Sequence, residues 1–236
     1  MNFLLHHHLA FLDFGRPEAA AGAILPDVWR MADRRARTRS LALGADGGGI
    51  GSVSDGVAHH LAVDTWFHRA AVFTGGETAT REALRRARDA QKMGLFAHVA
   101  WELCLDGALL RRFGTESVLR DVRVSLAAVR PDAHRRAADL HTGLEASDRP
   151  TFELRVDRIL DAIALGPWVA GYATAPGVVE RLDGLRARFG FTALSSADRD
   201  ALAGALEALG RDADAALDTI LVGWRAVALT GQPGGG

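Results

Sequence analysis

The sequence predicts an all-α protein, and two observations support this prediction. Apolar residues recur with helical periodicity along most of the chain. Strand signals are missing, because no run of valine, isoleucine and threonine is bounded by turns and no strand-length segment alternates apolar with polar residues. No internal repeat of fixed period is present. We therefore expect one multi-helix domain over residues 1–230, followed by a disordered tail at 231–236.

Caps, glycines and prolines place the helices of the first part of the chain. A first helix is expected over residues 2–13, and a second begins at Pro17, a residue suited to a first helical turn. Pro26 should interrupt this second helix, which then continues from Asp27. The five glycines between positions 44 and 51 predict a loop.

The remaining helices are bounded by similar signals. The helix after the loop should run from about residue 54 to 73, where the pair Gly75 and Gly76 breaks it. A short arginine-rich helix then reaches about Lys92, and the long apolar stretch 93–113 predicts a buried central helix that stops at Gly114. Turn signals divide the second half into helices near 115–129, 132–144, 150–164, 167–173, 176–189, 195–209 and 211–229.

Composition and charge exclude several classes of protein. Apolar residues are 48% and charged residues 24%, which is typical of a globular chain. The net charge of -1 provides no field that favours nucleic acid. Cys104 is the one cysteine, so no internal disulfide forms, and its place on an apolar helix should raise its pKa. The start of the chain lacks the basic region of a signal peptide, and no apolar run reaches the ~20 residues of a membrane span, so we expect a cytoplasmic protein.

The segment HHLAVDTWFH carries the first candidate site. His60, Asp64 and His68 follow one another at steps of four, which places them on one face of a helix. Polar side chains within an apolar helix are expensive to bury without partners. A divalent metal would supply such partners, since imidazole and carboxylate both coordinate zinc, manganese or iron. A hydrogen-bonded core triad and a solvent-exposed face are the alternatives.

The central helix carries a second line of the same kind. His98 and Glu102 lie one turn apart, and Asp106 follows one turn later. An isolated pair of this kind is weak evidence for a site. Two such lines within about forty residues are stronger, because each line could complete the coordination shell of the other.

Two further residues are candidate ligands. His6 can face the same site if Phe3 and Ala10 face the core with it. Asp27 follows the Pro26 break, where a carboxylate serves either as a helix cap or as a ligand. The histidines that we expect to be at least partly exposed are His7, His8, His59, His134 and His141.

These residues resemble the motifs of the acyl carrier protein phosphodiesterase family, an all-helical group related to HD-type phosphohydrolases. Family members open with a segment like MNFLAHLHL, and this chain opens with MNFLLHHHL. Gly22 and Asp27 keep the spacing of a pattern like GNLLADF, while Gly56, His60 and Asp64 match a helix of the form G-x-x-x-H-R-x-I-D. The stretch HVAWELCL aligns with a pattern like DVMWDHFL.

The resemblance implies a metal-dependent phosphodiester hydrolase, with manganese as the usual ion. The family reaction releases 4'-phosphopantetheine from holo acyl carrier protein. Carried across by position, the site would consist of His6, Asp27, His60 and Asp64. Where the family pattern has further aspartates, this chain has His68, His98 and Glu102, all of which keep ligand-type atoms. These departures suggest a retained metal site with an altered preference for the ion, and they weaken the assignment of the carrier-protein substrate.

Two readings follow from the sequence. In the first, the protein is an enzyme whose metal ligands are drawn from His6, Asp27, His60, Asp64, His68 and His98. Asp64 is essential for catalysis in that reading, and Glu102 acts as a general base if it is not a ligand. In the second, the protein is a non-catalytic scaffold or interaction module stabilised by metal. A zinc phospholipase C-like hydrolase is a further enzyme alternative. At least four of the six ligand candidates are expected to converge on one point.

Overall fold

The computed structural model describes residues 2–38, 52–88 and 92–230. These residues are almost entirely helical, which confirms the all-α prediction. The helices are α1 (Phe3–Phe14), α2 (Pro17–Gly22), α3 (Leu25–Ala32), α4 (Val53–Phe67), α5 (Ala71–Arg88), α6 (Ala97–Phe113), α7 (Thr115–Leu140), α8 (Arg149–Leu165), α9 (Pro167–Ala170), α10 (Ala175–Arg188) and α11 (Ser196–Thr230). Short 3-10 helices lie at Met93–Phe96, Ala146–Asp148 and Gly171–Ala173. The predicted loop at 44–51 and the predicted tail at 231–236 lie outside the described residues.

The described residues form two compact units. The first unit consists of Phe3–Asp64 and Glu116–Gly166, and the second unit consists chiefly of Thr65–Thr115 and the chain from Pro167 onward. The boundary between them falls inside α4, after Asp64. The single domain over 1–230 and its likeness to HD-type proteins stay predictions.

The first unit is built on an apolar amino-terminal helix. Phe3, Leu4 and Leu9 of α1 are fully buried, and α1 packs against α2 while α3 packs against α8. A short antiparallel pair joins β1 (Arg37–Thr38) to β2 (His141–Thr142). This pair corrects the expectation of no sheet, although each strand is only two residues long.

The second unit is organised around α6. Nearly every residue of its middle part is buried, and α6 packs against both α5 and α11. By length and composition, the stretch Met93–Phe113 could cross a membrane, but most of it is buried inside the structure, as in a core helix. Gly114 ends α6 with a positive φ of 84°, a conformation that favours glycine, as predicted.

Several predicted helix breaks were wrong. The break after α2 falls at Ala23 and Ile24, and Pro26 lies in the first turn of α3, where its missing N–H is harmless. Helix α4 ends at Phe67, earlier than expected, and α5 continues through Gly75 and Gly76. A Cβ at Gly76 would lie 2.2 Å from Cζ2 of Trp101, so this glycine serves close helix packing instead of a turn.

Two long helices also continue through predicted turns. Helix α7 spans the expected turn at 130–131, and α11 spans Gly210. In α11 the buried positions keep helical spacing on both sides of the glycine, so that one apolar face favours one continuous helix. These positions are Leu202, Leu206, Leu209, Ala213, Leu217 and Ile220.

Candidate functional site

The first group of ligand-type side chains consists of His6, His60 and Asp64, all in the first unit. One potential ligand atom from each residue lies within 4.8 Å of the other two. His6 Nε2 is 3.2 Å from Asp64 Oδ1, and His60 Nε2 is 3.7 Å from Asp64 Oδ2. Two atoms bound to one tetrahedral ion at ordinary zinc distances lie roughly 3.4 Å apart. The observed spacing therefore fits a single divalent ion.

A close helix crossing positions His60. A Cβ on Gly56 would lie 2.0 Å from the carbonyl oxygen of Ala19, and a Cβ on Gly22 would lie 2.2 Å from that of Val53. Only glycine allows α2 and α4 to approach this closely. The resemblance singled out the same two glycines, and the structure supplies a physical reason for them. The crossing brings His60, one turn after Gly56, next to the chain that leaves α2.

The hydrogen bond of His60 sets which ring nitrogen faces the group. Its Nδ1 donates to the carbonyl of Ala23 at 2.8 Å, so the lone pair of the neutral ring lies on Nε2, toward Asp64. Metal-binding histidines usually have such a backbone partner on the other nitrogen. Burial and the neighbouring His6 lower the pKa of His60 to about 4, which keeps the ring neutral at pH 7.

His6 completes the group from α1. Its ring stacks on that of His60 with centroids 4.0 Å apart. Both ring nitrogens of His6 are shielded from solvent, and neither makes a hydrogen bond of good geometry within the described part of the chain, although Nε2 lies 3.2 Å from Asp64 Oδ1. Buried polar atoms normally have partners, so an imidazole in this state is suited to a metal ion. Asp64 exposes 36% of its side chain and is the member of the group that solvent reaches.

Asp27 lies near this group but is not one of its three members. Its charge raises the pKa of His60, which places it in the electrostatic neighbourhood of the ring. Asp27 is half-buried in the first turn of α3 and is not among the residues whose ligand atoms cluster within 4.8 Å. Its predicted role as a ligand stays a prediction.

The second group consists of His68, His98 and Glu102, all in the second unit. His98 Nε2 lies 3.2 Å and His68 Nε2 lies 3.6 Å from Oε1 of Glu102. The other ring nitrogen of His98, Nδ1, is 3.2 Å from Oε2 of Glu77. Asp106, one turn after Glu102, is fully buried and does not belong to the group.

Charge pairing dominates the second group. Hydrogen bonding to Glu102, supported by Glu77, raises the pKa of His98. Burial alone would raise the pKa of Glu102, but hydrogen bonds from His68 and His98 hold this pKa well below its usual range. A carboxylate with so low a pKa is a weak general base at neutral pH, so the predicted role of Glu102 as a base gains no support from its surroundings.

The expected line of three residues on α4 was wrong. Helix α4 ends at Phe67, so His68 lies in the turn that follows, and it belongs to the other group of ligand-type residues. Each group contains three ligand-type residues, and neither contains four of the six predicted ligands. The expected convergence of four ligands is therefore not found in either group.

Sequence reasoning misjudged three of the other histidines. His7 was expected to be exposed, but it is buried, its Nε2 lies 2.9 Å from Ser125 Oγ, and burial lowers its pKa to about 3. His59 is also buried, with Nε2 2.8 Å from Asp13 Oδ2. His141 is buried between the rings of Trp29 and Phe152. The partners lie far away in the sequence, and no local spacing predicts them.

The predictions for His8 and Cys104 agree with the structure, whereas Glu77 was not predicted. His8 is half-buried, in line with its expected partial exposure, while the side chain of His134 lies outside the described part of the structure. Burial raises the pKa of Cys104 to about 12, as predicted for an inert thiol. Glu77 was missed altogether, because a carboxylate on a neighbouring helix leaves no mark in the spacing around His98.

Comparison of the chain with protein-family models, with curated proteins and with solved structures found no match.

Proposed function

We propose that the protein is a metal-dependent hydrolase that acts on a phosphodiester, with one divalent ion held by His6, His60 and Asp64. One observation carries this proposal: the Nδ1 hydrogen bond to Ala23 aims Nε2 of His60 into the space that the buried His6 ring and the Asp64 carboxylate share. Two imidazoles and one carboxylate suit zinc, iron or manganese, and manganese is the ion that the family resemblance favours.

The chain itself prepares this site in three ways. Burial keeps the His60 ring neutral, so that a nitrogen lone pair is available at pH 7. The glycine crossing and the Ala23 carbonyl fix the orientation of that ring before any ion arrives. Asp64 supplies the negative charge and forms the open side of the group. An ion held there would supply the chemistry of a Lewis acid, which lowers the pKa of water and stabilises charge on phosphate oxygens.

The nature of the substrate rests on the family resemblance. A phosphodiester is the class that the resemblance implies, and holo acyl carrier protein is its named example. Because His68, His98 and Glu102 replace residues of the family pattern, we propose the reaction class and keep the carrier-protein substrate as a prediction.

A metal-dependent assay tests the proposal. The purified protein, stripped of metal and reloaded with manganese, iron or zinc, should hydrolyse bis(p-nitrophenyl) phosphate. Asp64→Asn keeps the shape of the side chain but removes its charge, and it should abolish turnover while the helical circular dichroism is unchanged. His8→Ala changes a half-buried histidine of the same helix as His6 and should retain activity. Activity without metal, or full activity of Asp64→Asn, would refute the proposal.

The burial of the histidines favours a second candidate, a metal-stabilised scaffold. His6 and His60 are both buried, and only Asp64 reaches solvent. A structural ion needs no open position for substrate. A protein that binds metal stoichiometrically through these residues, yet turns over no phosphodiester with any of the three metals, would be this scaffold.

A further inference from the structure

A separate cavity in the second unit combines open space with unsatisfied donors. It encloses about 300 Å³ between α9 and α10. Three glycines, Gly171, Gly177 and Gly184, line it together with two arginines. The first two glycines meet backbone to backbone, since a Cβ on Gly177 would lie 2.1 Å from the carbonyl oxygen of Gly171. At Gly184, a Cβ would meet nothing within 4 Å, so the volume beside this glycine is open and could hold a larger side chain.

Arg181 is the unusual residue of this cavity. Its guanidinium carbon lies 4.4 Å from the ring centroid of Trp168, and the side chain is half-buried. Within the described part of the structure, its Nε and Nη2 are shielded from solvent and make no hydrogen bond. Burial, together with the nearby charge of Arg188, lowers the pKa of Arg181. Two guanidinium nitrogens that are shielded from solvent and have no acceptor in good geometry are costly, and such atoms call for a ligand or a water.

The chemistry around Arg181 favours an oxyanion. Nε and Nη2 form one edge of the guanidinium, and this edge presents two parallel donors that match two oxygens of one phosphate or carboxylate. The hydroxyl of the buried Tyr172 lies close to the guanidinium and is a further polar group beside it. Arg188 adds a second positive charge to the cavity wall, against one acidic residue, the exposed Glu180.

We propose that this cavity binds a phosphate group through the Nε–Nη2 edge of Arg181, with Arg188 as a second cation. A small rotation of the guanidinium into the cavity pairs both donors with one ligand. Phosphate is favoured over carboxylate because two arginines match its greater charge and number of oxygens. The cavity shares no residue with the His6–His60–Asp64 group, so this site stands independently of the proposed hydrolase.

Calorimetric titration of the metal-free protein with inorganic phosphate, phenyl phosphate and acetate tests this site. We expect both phosphates to bind at least about tenfold more tightly than acetate, and phosphate to raise the melting temperature. Arg181→Met keeps an apolar stem against Trp168 and should weaken phosphate binding at least about tenfold. Arg181→Lys keeps the charge but loses the two-donor edge, and it should weaken binding several-fold.

Two controls separate this cavity from other phosphate sites. Gly184→Leu should fill the open space and abolish binding without unfolding the protein, because leucine favours a helix more than glycine does. His60→Ala removes a candidate metal ligand and should leave phosphate affinity in the cavity unchanged. The proposal fails if wild type binds neither phosphate, or if Arg181→Met binds as tightly as wild type. Equal affinity for acetate would overturn the phosphate assignment in favour of a carboxylate.

Discussion

The two histidine–carboxylate groups of this protein differ in which side chains are buried: the first buries its histidines, and the second buries its carboxylate. In the group His6–His60–Asp64 the histidines are buried and the carboxylate is 36% exposed. In the group His68–His98–Glu102 the carboxylate is only 4% exposed, while the side chains of His68 and His98 are 34% and 43% exposed. The residue types are nearly the same, so the difference in burial, together with the extra carboxylate of Glu77 beside His98, makes their electrostatics differ.

This difference determines what each group lacks. Burial lowers the pKa of His60, so this ring adds no positive charge beside Asp64 at pH 7. A divalent cation would supply that charge for the first group. In the second group the half-exposed histidine can be protonated, and the raised pKa of His98 shows that the buried Glu102 favours this. The second group can therefore balance its charge with protons, and we expect metal to matter most in the first.

The largest expected effect is the loss of metal binding from the first group. In the metal-stripped wild type, a divalent ion at about 100 times its dissociation constant should stabilise the fold by about 2.7 kcal/mol. His60→Ala should weaken the binding of this ion by at least about 100-fold. The variant removes a ligand whose ring orientation is fixed by the hydrogen bond to the Ala23 carbonyl. His68→Ala, the matched change in the second group, should keep most of the stabilisation. Thermal melts with and without manganese or zinc compare the two variants, and equal losses would contradict the contrast between the groups.

The pairs within each group follow from the sequence, whereas their third members do not. His60 with Asp64, and His98 with Glu102, are one turn apart, and helical spacing is enough to place them together. His68 joins the second group only because α4 ends at Phe67, a stop that has no proline or glycine next to it. His6 joins the first group from another helix, α1. The apolar pattern of α1 predicts that one face of this helix is buried, but it does not predict which residues this face contacts.

The next-largest effect is expected from a mutation at the close crossing of α2 and α4, which positions His60 in the first group. Gly56→Ala would force a Cβ to within 2.0 Å of a carbonyl oxygen, so α2 and α4 must separate. We expect a loss of about 1–3 kcal/mol in the free energy of unfolding, and weaker metal binding because the Ala23 carbonyl moves away from His60. Gly204→Ala is the control, since its Cβ meets nothing within 4 Å on a helix and should be neutral or stabilising by up to about 1 kcal/mol. Urea melts measure both, and a neutral Gly56→Ala would contradict the tight crossing.

The two groups should also respond oppositely to acid in the metal-free protein. His60 has a folded pKa lowered from 6.5 to about 4, so the stability that its neutral form contributes is lost as the pH falls below 6.5. By linkage, this loss is about 2 kcal/mol between pH 7 and pH 5. His98 has a raised folded pKa, so the stability that it contributes is present below pH 6.5 and is lost as the pH rises through the folded value.

Two histidine variants separate these contributions. His60→Gln should flatten the fall in unfolding free energy between pH 7 and pH 5, and His98→Gln should steepen it. Urea melts at several pH values in the presence of a chelator measure both slopes. If the two variants change the slope in the same direction, the burial contrast does not control the protonation of the two groups.

The smallest expected effect concerns Asp27, and it decides how far the first group extends. Asp27 acts on His60 electrostatically but lies outside the three-residue cluster. Asp27→Asn should therefore weaken metal binding less than tenfold, which corresponds to less than about 1.4 kcal/mol, because only a nearby charge is removed. The same change should lower the pKa of His60 in the metal-free protein, which titration of its ring protons by NMR detects. A loss of metal affinity as large as that of His60→Ala would instead make Asp27 a fourth ligand, as the family resemblance implies. The proposed ion would then bind two carboxylates, and the first group would consist of two histidines and two carboxylates, including Asp27. The contrast in charge between the two groups would then be larger than three residues each imply.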